Sequence, residues 1–172
     1  LYDLNIKEND FSGELGYYIT DGLAVAGTCK YGKADVDFAG TSNDKVVKTT
    51  IYGAYFKYVV MFNGQMGINL EGSYKHQTEK TTYTSKSPEK EKNNIYIATG
   101  DFYITPKIGI EGEIEFNRGD NKYDAGNTYK GSFKIFFIPN FAVSAGYGVF
   151  KPEDSSVGSK EKLYMAALTA RI

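Results

Sequence analysis

Three glutamates, Glu111, Glu113 and Glu115, alternate along one short stretch. In an extended strand such residues share a face, about 7 Å apart. A strip of this kind attracts cations, and it also suits ion pairing with lysines on neighbouring strands. Lys30, Lys57, Lys130, Lys134 and Arg171 fall on the matching parity, as do Glu14, Glu71 and Asp101. The favoured reading is therefore an internal charge network of these eleven residues. No metal site is expected, because no His or Cys joins the cluster and a hard cation needs about six oxygens.

His76 is the only histidine. A histidine base beside a nucleophile or an activated water is a common route to hydrolysis. No Ser-His-Asp pattern surrounds it, so it reads as a solvated strand-end residue and no catalytic residue is assigned. Arg118-Gly119-Asp120 falls where an outward loop should begin. Its Gly-Asp pair is ordinary turn chemistry, and the tripeptide is the one surface contact singled out, of a kind an adhesion receptor could engage. The following residues fail as a calcium loop because Lys122 takes a ligand position. Cys29 is a lone cysteine, which excludes an internal disulfide; its parity makes it a lipid-facing thiol. No cofactor motif is present.

The elements that must carry these residues have a period of two. Leu15, Tyr17 and Ile19, then Leu23 and Val25, alternate on either side of Thr20-Asp21-Gly22, a strand-turn-strand signature. The same device recurs around Ile104 and Ile138, and more loosely around Phe62. Segmentation by this pattern gives ten strands, the first ending at a tight polar turn over residues 7–10. Connections alternate between very short turns and long hydrophilic loops, the longest a solvated mobile loop over residues 77–94. An even strand number would place both termini on the short-turn side.

The chain reads as a single domain, 1–172. Its formal net charge of −1 gives no attraction for nucleic acid. It holds 15 Tyr, 11 Phe and 19 Gly and no Trp, a balance that favours strands over helices. No run of apolar residues is long enough for a membrane helix. No leader-like segment stands at the start, which opens directly in strand-like sequence.

The face opposite the charges is nearly free of charge and carries Tyr17, Tyr52, Phe56, Phe62, Tyr74, Phe102, Phe116, Phe137, Phe141 and Tyr147, often near strand ends, as lipid-facing aromatic girdles do. The charged face mixes both signs with Gly, Ala and Ser, as a narrow barrel interior would. The reading is an all-β, antiparallel, up-and-down transmembrane β-barrel of ten strands, with eight as the alternative.

The Gly16-Tyr17-Tyr18-Ile19-Thr20-Asp21-Gly22-Leu23-Ala24 hairpin, with its near copy from Phe102 to Ile110, resembles the hairpins of small bacterial outer-membrane β-barrel proteins of the opacity/porin-like group. The last strand (Tyr164, Ala166, Leu168, Ala170, Ile172) is similar to their C-terminal assembly signal, though it ends in Ile where that signal usually has Phe. The resemblance implies a bacterial outer-membrane location, lipid as surroundings and the barrel-assembly machinery as a partner through the last strand. The long loops would meet any extracellular or envelope protein. The expected function is non-enzymatic: a structural or surface-interaction protein, or a narrow passive pore with a charge-paired lumen. An enzyme acting at the loop rim and a soluble lipocalin-like ligand-binding barrel are the alternatives.

Overall fold

Period-two alternation dictates strands, and strands account for nearly all of the chain. The computed structural model describes residues 4–38, 44–62, 66–105, 107–120, 125–138, 141–154, 156 and 159–170. They form β1 (Leu4–Thr20), β2 (Leu23–Phe38), β3 (Lys45–Phe62), β4 (Met66–Tyr83), β5 (Glu89–Thr105), β6 (Ile108–Gly119), β7 (Gly126–Ile138), β8 (Phe141–Pro152) and β9 (Glu161–Ala170). Each strand pairs antiparallel with the next, so sheet order equals chain order. The fold is an all-β, up-and-down antiparallel sheet.

The described residues form nine strands where ten, or eight, were expected, because residues 7–10 are not a turn. They continue the ladder, Lys7 opposite Asp35 and Asp10 opposite Gly32. Backbone pairing is indifferent to side-chain polarity, and Asp10 finds Lys30 at 2.7 Å. Residues 77–94 are likewise strand for most of their length. Thr78, Thr81 and Thr82 are good strand formers, and β4 and β5 stay in register from Gly67 opposite Tyr103 to Thr81 opposite Glu89. The tip is pinned by the Tyr83 hydroxyl donating to Glu89 (2.8 Å), by a Lys86–Glu89 ion pair (2.7 Å) and by the Lys86 ammonium over the Tyr83 ring. Among the described residues β1 starts at the end of the long connections and β9 finishes at the end of the short turns, so the first and last strands do not give the shared side that an even number would. Among the described residues no register joins β9 to β1.

The recurring hairpin signature has a structural counterpart. The register shifts at Tyr18/Thr20, Tyr103/Thr105 and Phe136/Ile138, each time just before a tight turn. The extra residues are Ile19, Ile104 and Phe137, all solvent-exposed on the fold. A bulge of this kind bends the strand and increases its twist. The looser copy at Phe62 lacks the shift, and Phe62 pairs directly with Met66. At the first turn Gly22 has φ of 92°, and a Cβ there would lie 2.4 Å from the Val59 carbonyl oxygen. Both conditions require glycine.

Burial shows which way the sheet curves. Among the described strand residues, those that are buried, such as Ala26, Gly32, Val36, Gly67, Asp101, Ala142 and Gly148, all belong to the charged face. The apolar face is the open one: Phe56, Ile110 and Phe133 are 48%, 47% and 44% exposed. Among the described residues no large side chain is fully buried. The charged face is concave, and the buried apolar residues described are the small or medium Ala26, Val36, Ala125 and Ala142.

Candidate functional site

The concave face is built by register. Lys57 faces Glu71, Asn69 faces Asp101, Asp101 faces Glu111, and Glu113 faces Lys130. Glu14, Lys30, Glu115 and Lys134 lie on the same face. Arg171 lies outside the described residues.

These residues form several small sets instead of one network. In the tightest, the Lys134 ammonium lies 3.3 Å from Asp101 and pairs with Glu111, and the Asn69 amide donates to Asp101 at 2.9 Å. Beside it Lys130 meets Glu113 at 2.6 Å. On the far wall Glu14 accepts a 2.7 Å bond from the Tyr55 hydroxyl, reaching across β2. Lys30 turns away to Asp10. Lys57, Glu71 and Glu115 have no ion-pair partner among the described residues. Asp101, at 8% exposure, is the one buried charged residue described. Partly buried carboxylates and ammonium groups of both signs thus stand side by side on the concave face.

The convex face is divided along its length. Tyr17, Tyr52, Phe56, Phe62, Tyr74, Phe102, Phe116, Phe137, Phe141 and Tyr147 all stand on it, as does Cys29. From the tight turns up to Tyr31, Tyr52, Tyr74, Tyr96, Phe116 and Tyr129, no described residue of this face is charged. Beyond that aromatic row it turns basic, with Lys48, Lys80, Lys90 and Lys92 side by side across β3, β4 and β5. None of these four has a carboxylate within ion-pair reach among the described residues.

Two sequence features take different places from those expected. Arg118 and Gly119 end β6 instead of opening a loop. The guanidinium donates to the Asn117 and Gly126 carbonyls and to the Asn127 side chain, while Asp120 accepts from the Lys92 backbone N–H. Both charges of the tripeptide thus hold strand ends together. His76 is no lone solvated residue. Its Nδ1 is 2.7 Å from the Asn94 side-chain oxygen, its Nε2 is 3.3 Å from Thr78 Oγ1, and its ring packs on Tyr52 at 4.8 Å. The Tyr74 hydroxyl donates to the same Asn94 oxygen. Asn94 was hidden in sequence because it stands 18 residues away, at the end of a stretch whose polarity reads as loop. Only the hairpin register puts it opposite His76.

No family model matches the chain, and no curated protein is similar to it. Among solved structures it is similar to the NanC porin, with a TM-score of 0.53 at 8% identity, covering 98% of this chain and 98% of that one. At that identity the likeness is one of fold. The chain has a porin-like, all-β, antiparallel strand architecture.

Proposed function

We propose that the chain is an integral bacterial outer-membrane β-barrel protein, with its convex face in lipid and its concave face a polar lumen narrowed by ion-paired side chains. On this reading it is a structural or surface-interaction protein, or a narrow passive pore, and the lumen face does no covalent chemistry. One observation carries the proposal: the convex face holds large exposed apolar side chains and no described charge between the tight turns and the upper aromatic row. A lysine or arginine at mid-depth in lipid would cost about 2–4 kcal/mol. A lipocalin-like pocket would need the opposite arrangement, with apolar residues on the concave side. The likeness of fold to a porin supports this placement. The barrel-assembly machinery, engaged through β9, and an envelope or extracellular protein at the long connections are the partners that fit.

The test is behaviour in detergent and in bilayers. A folded protein that needs detergent, migrates differently on a gel before and after boiling, and passes only a small current through a planar bilayer supports the proposal. A monodisperse monomer in plain buffer would refute it. Large conductance would refute the narrowed lumen alone.

A further inference from the structure

The most unusual constellation on the molecule lies outside the lumen. On the convex face, just past the aromatic row, a hydroxyl, an imidazole and an amide oxygen stand in line. We propose that Thr78, His76 and Asn94 form a hydrolytic relay that cleaves acyl esters of anionic membrane lipids. The inference goes beyond the passive barrel and rests on its membrane placement.

The order of roles follows from the hydrogen bonds. The Asn94 side-chain oxygen is an acceptor, already receiving the Tyr74 hydroxyl at 2.9 Å. The His76 Nδ1 beside it must therefore carry the proton, as neutral imidazole has one donor nitrogen and one acceptor. That leaves the lone pair on Nε2, and Nε2 faces Thr78 Oγ1 at 3.3 Å. A hydroxyl beside a base whose far nitrogen is oriented by a third group is the arrangement that activates a nucleophile, recognised by geometry and not by sequence order. The ring is fixed by Tyr52 from β3, by Asn94 from β5, and by Thr78 on its own strand.

Position decides the substrate. The relay sits at the edge of the aromatic row, the level where ring-bearing residues meet lipid headgroups. The acyl ester linkages of a lipid lie at the same boundary. Lys92 stands directly across the ladder from Thr78, long enough to bring its ammonium to the carbonyl oxygen of an ester at Thr78. Lys80, Lys90 and Lys48 lie one step further out, without carboxylate partners among the described residues, and suit a phosphate-bearing headgroup.

The chemistry balances. Thr78 Oγ1 attacks the ester carbonyl carbon as its proton passes to His76 Nε2, and Lys92 faces the oxyanion. The C–O bond to the lipid alcohol breaks, and His76 returns the proton to the departing oxygen. A water then attacks the acyl-Thr78 ester with its proton taken by His76, and the fatty acid leaves as the proton goes back to Oγ1. The net reaction consumes one water and one ester and yields one acid and one alcohol.

The experiment uses the full chain inserted in vesicles of phosphatidylglycerol or of phosphatidylcholine, with insertion checked by the heat-shifted band. Fatty acid release is measured, and a long-chain fluorophosphonate reports the nucleophile by peptide mass. The expected result is an adduct on Thr78 and release from phosphatidylglycerol exceeding that from phosphatidylcholine. Release should fall about 100-fold or more in Thr78→Ala and in His76→Ala, and be kept in Thr78→Ser. Asn94 is a positioning residue: Asn94→Asp should keep turnover while moving the acid limb of the pH–rate profile upward, because a carboxylate favours the imidazolium. Glu79→Gln, beside Thr78 but on the concave face, should change nothing. A chain that inserts but gives neither adduct nor release above Thr78→Ala overturns the relay alone. Equal release from the two lipids overturns the anionic preference. A chain that does not insert overturns the membrane placement and the relay with it.

Discussion

Asp101 and Glu111 stand directly opposite one another across β5 and β6, and one ammonium, that of Lys134, reaches both. Opposed residues in a ladder have Cβ atoms about 5 Å apart, and like charges in that position repel. Lys134 turns the repulsion into a three-strand clamp. Removing it as Lys134→Met leaves two carboxylates uncompensated, one of them buried. The expected loss is about 3 kcal/mol, seen as a lower urea midpoint for the heat-shifted band. Adding Glu111→Gln should recover part of that loss, and failure to do so would mean the clamp contributes little.

On the proposed reading, the same pairs set what the concave space passes. Wild-type protein in a planar bilayer should give small current steps. Replacing Glu113 and Lys130 together with Ser removes a 2.6 Å ion pair from the wall and should raise the step size. Replacing Lys130 and Lys134 alone should shift the reversal potential toward that of the cation, since Glu111, Glu113 and Asp101 then dominate the wall. An unchanged reversal potential would count against a lumen-facing strip.

On the convex face, Phe56 lies over Gly72, its register partner; a Cβ at position 72 would come 2.3 Å from the ring. Gly72→Ala should therefore displace the ring and destabilise the fold by roughly 1–3 kcal/mol. The double variant with Phe56→Leu should be less affected than the sum of the two changes. Additivity would show that the ring is free to move aside.

The hairpin tip has its own pH dependence. Glu89 is held below the ordinary carboxylate range, first by the hydrogen bond from Lys86 and then by that from Tyr83. A group depressed in the folded state contributes stability above its unfolded pKa and loses it as pH falls through the folded value. Hydrogen-exchange protection at Tyr83 and Glu89, corrected for intrinsic rates, should thus be intact at neutral pH and fall once the solution drops through the acidic range where Glu89 protonates. Glu89→Gln should have low protection at every pH.

Legibility in the sequence followed the apolar pattern and ended where that pattern ended. The hairpins around Asp21-Gly22 and Pro106 were readable because alternation and turn residues agree there, and their bulges explain why the segments look alike. Residues 7–10 and 77–94 were misread because charge and polarity resemble loop, although ladder pairing depends on backbone and on threonine's preference for strands. That misreading hid Thr78 and Asn94 from His76. The charged face was legible by parity, whereas its division into small sets was not, since Lys30 and Lys134 have long stems that choose partners one or two strands away.

The nine strands of the described residues have a consequence for company. β1 and β9 run in the same direction, so a seam made between them would be a parallel one, with slanted and evenly spaced bonds; strands inserted antiparallel would have to come in odd number. Two copies inserted with one orientation are related by rotation about the membrane normal, which leaves every strand direction unchanged. Every edge that one copy offers another therefore points the same way, and the antiparallel pairing by which exposed edges recruit like neighbours is closed to identical chains. Of the described strands, the two at the ends of the ladder, β1 and β9, thus offer an identically oriented copy parallel pairing alone.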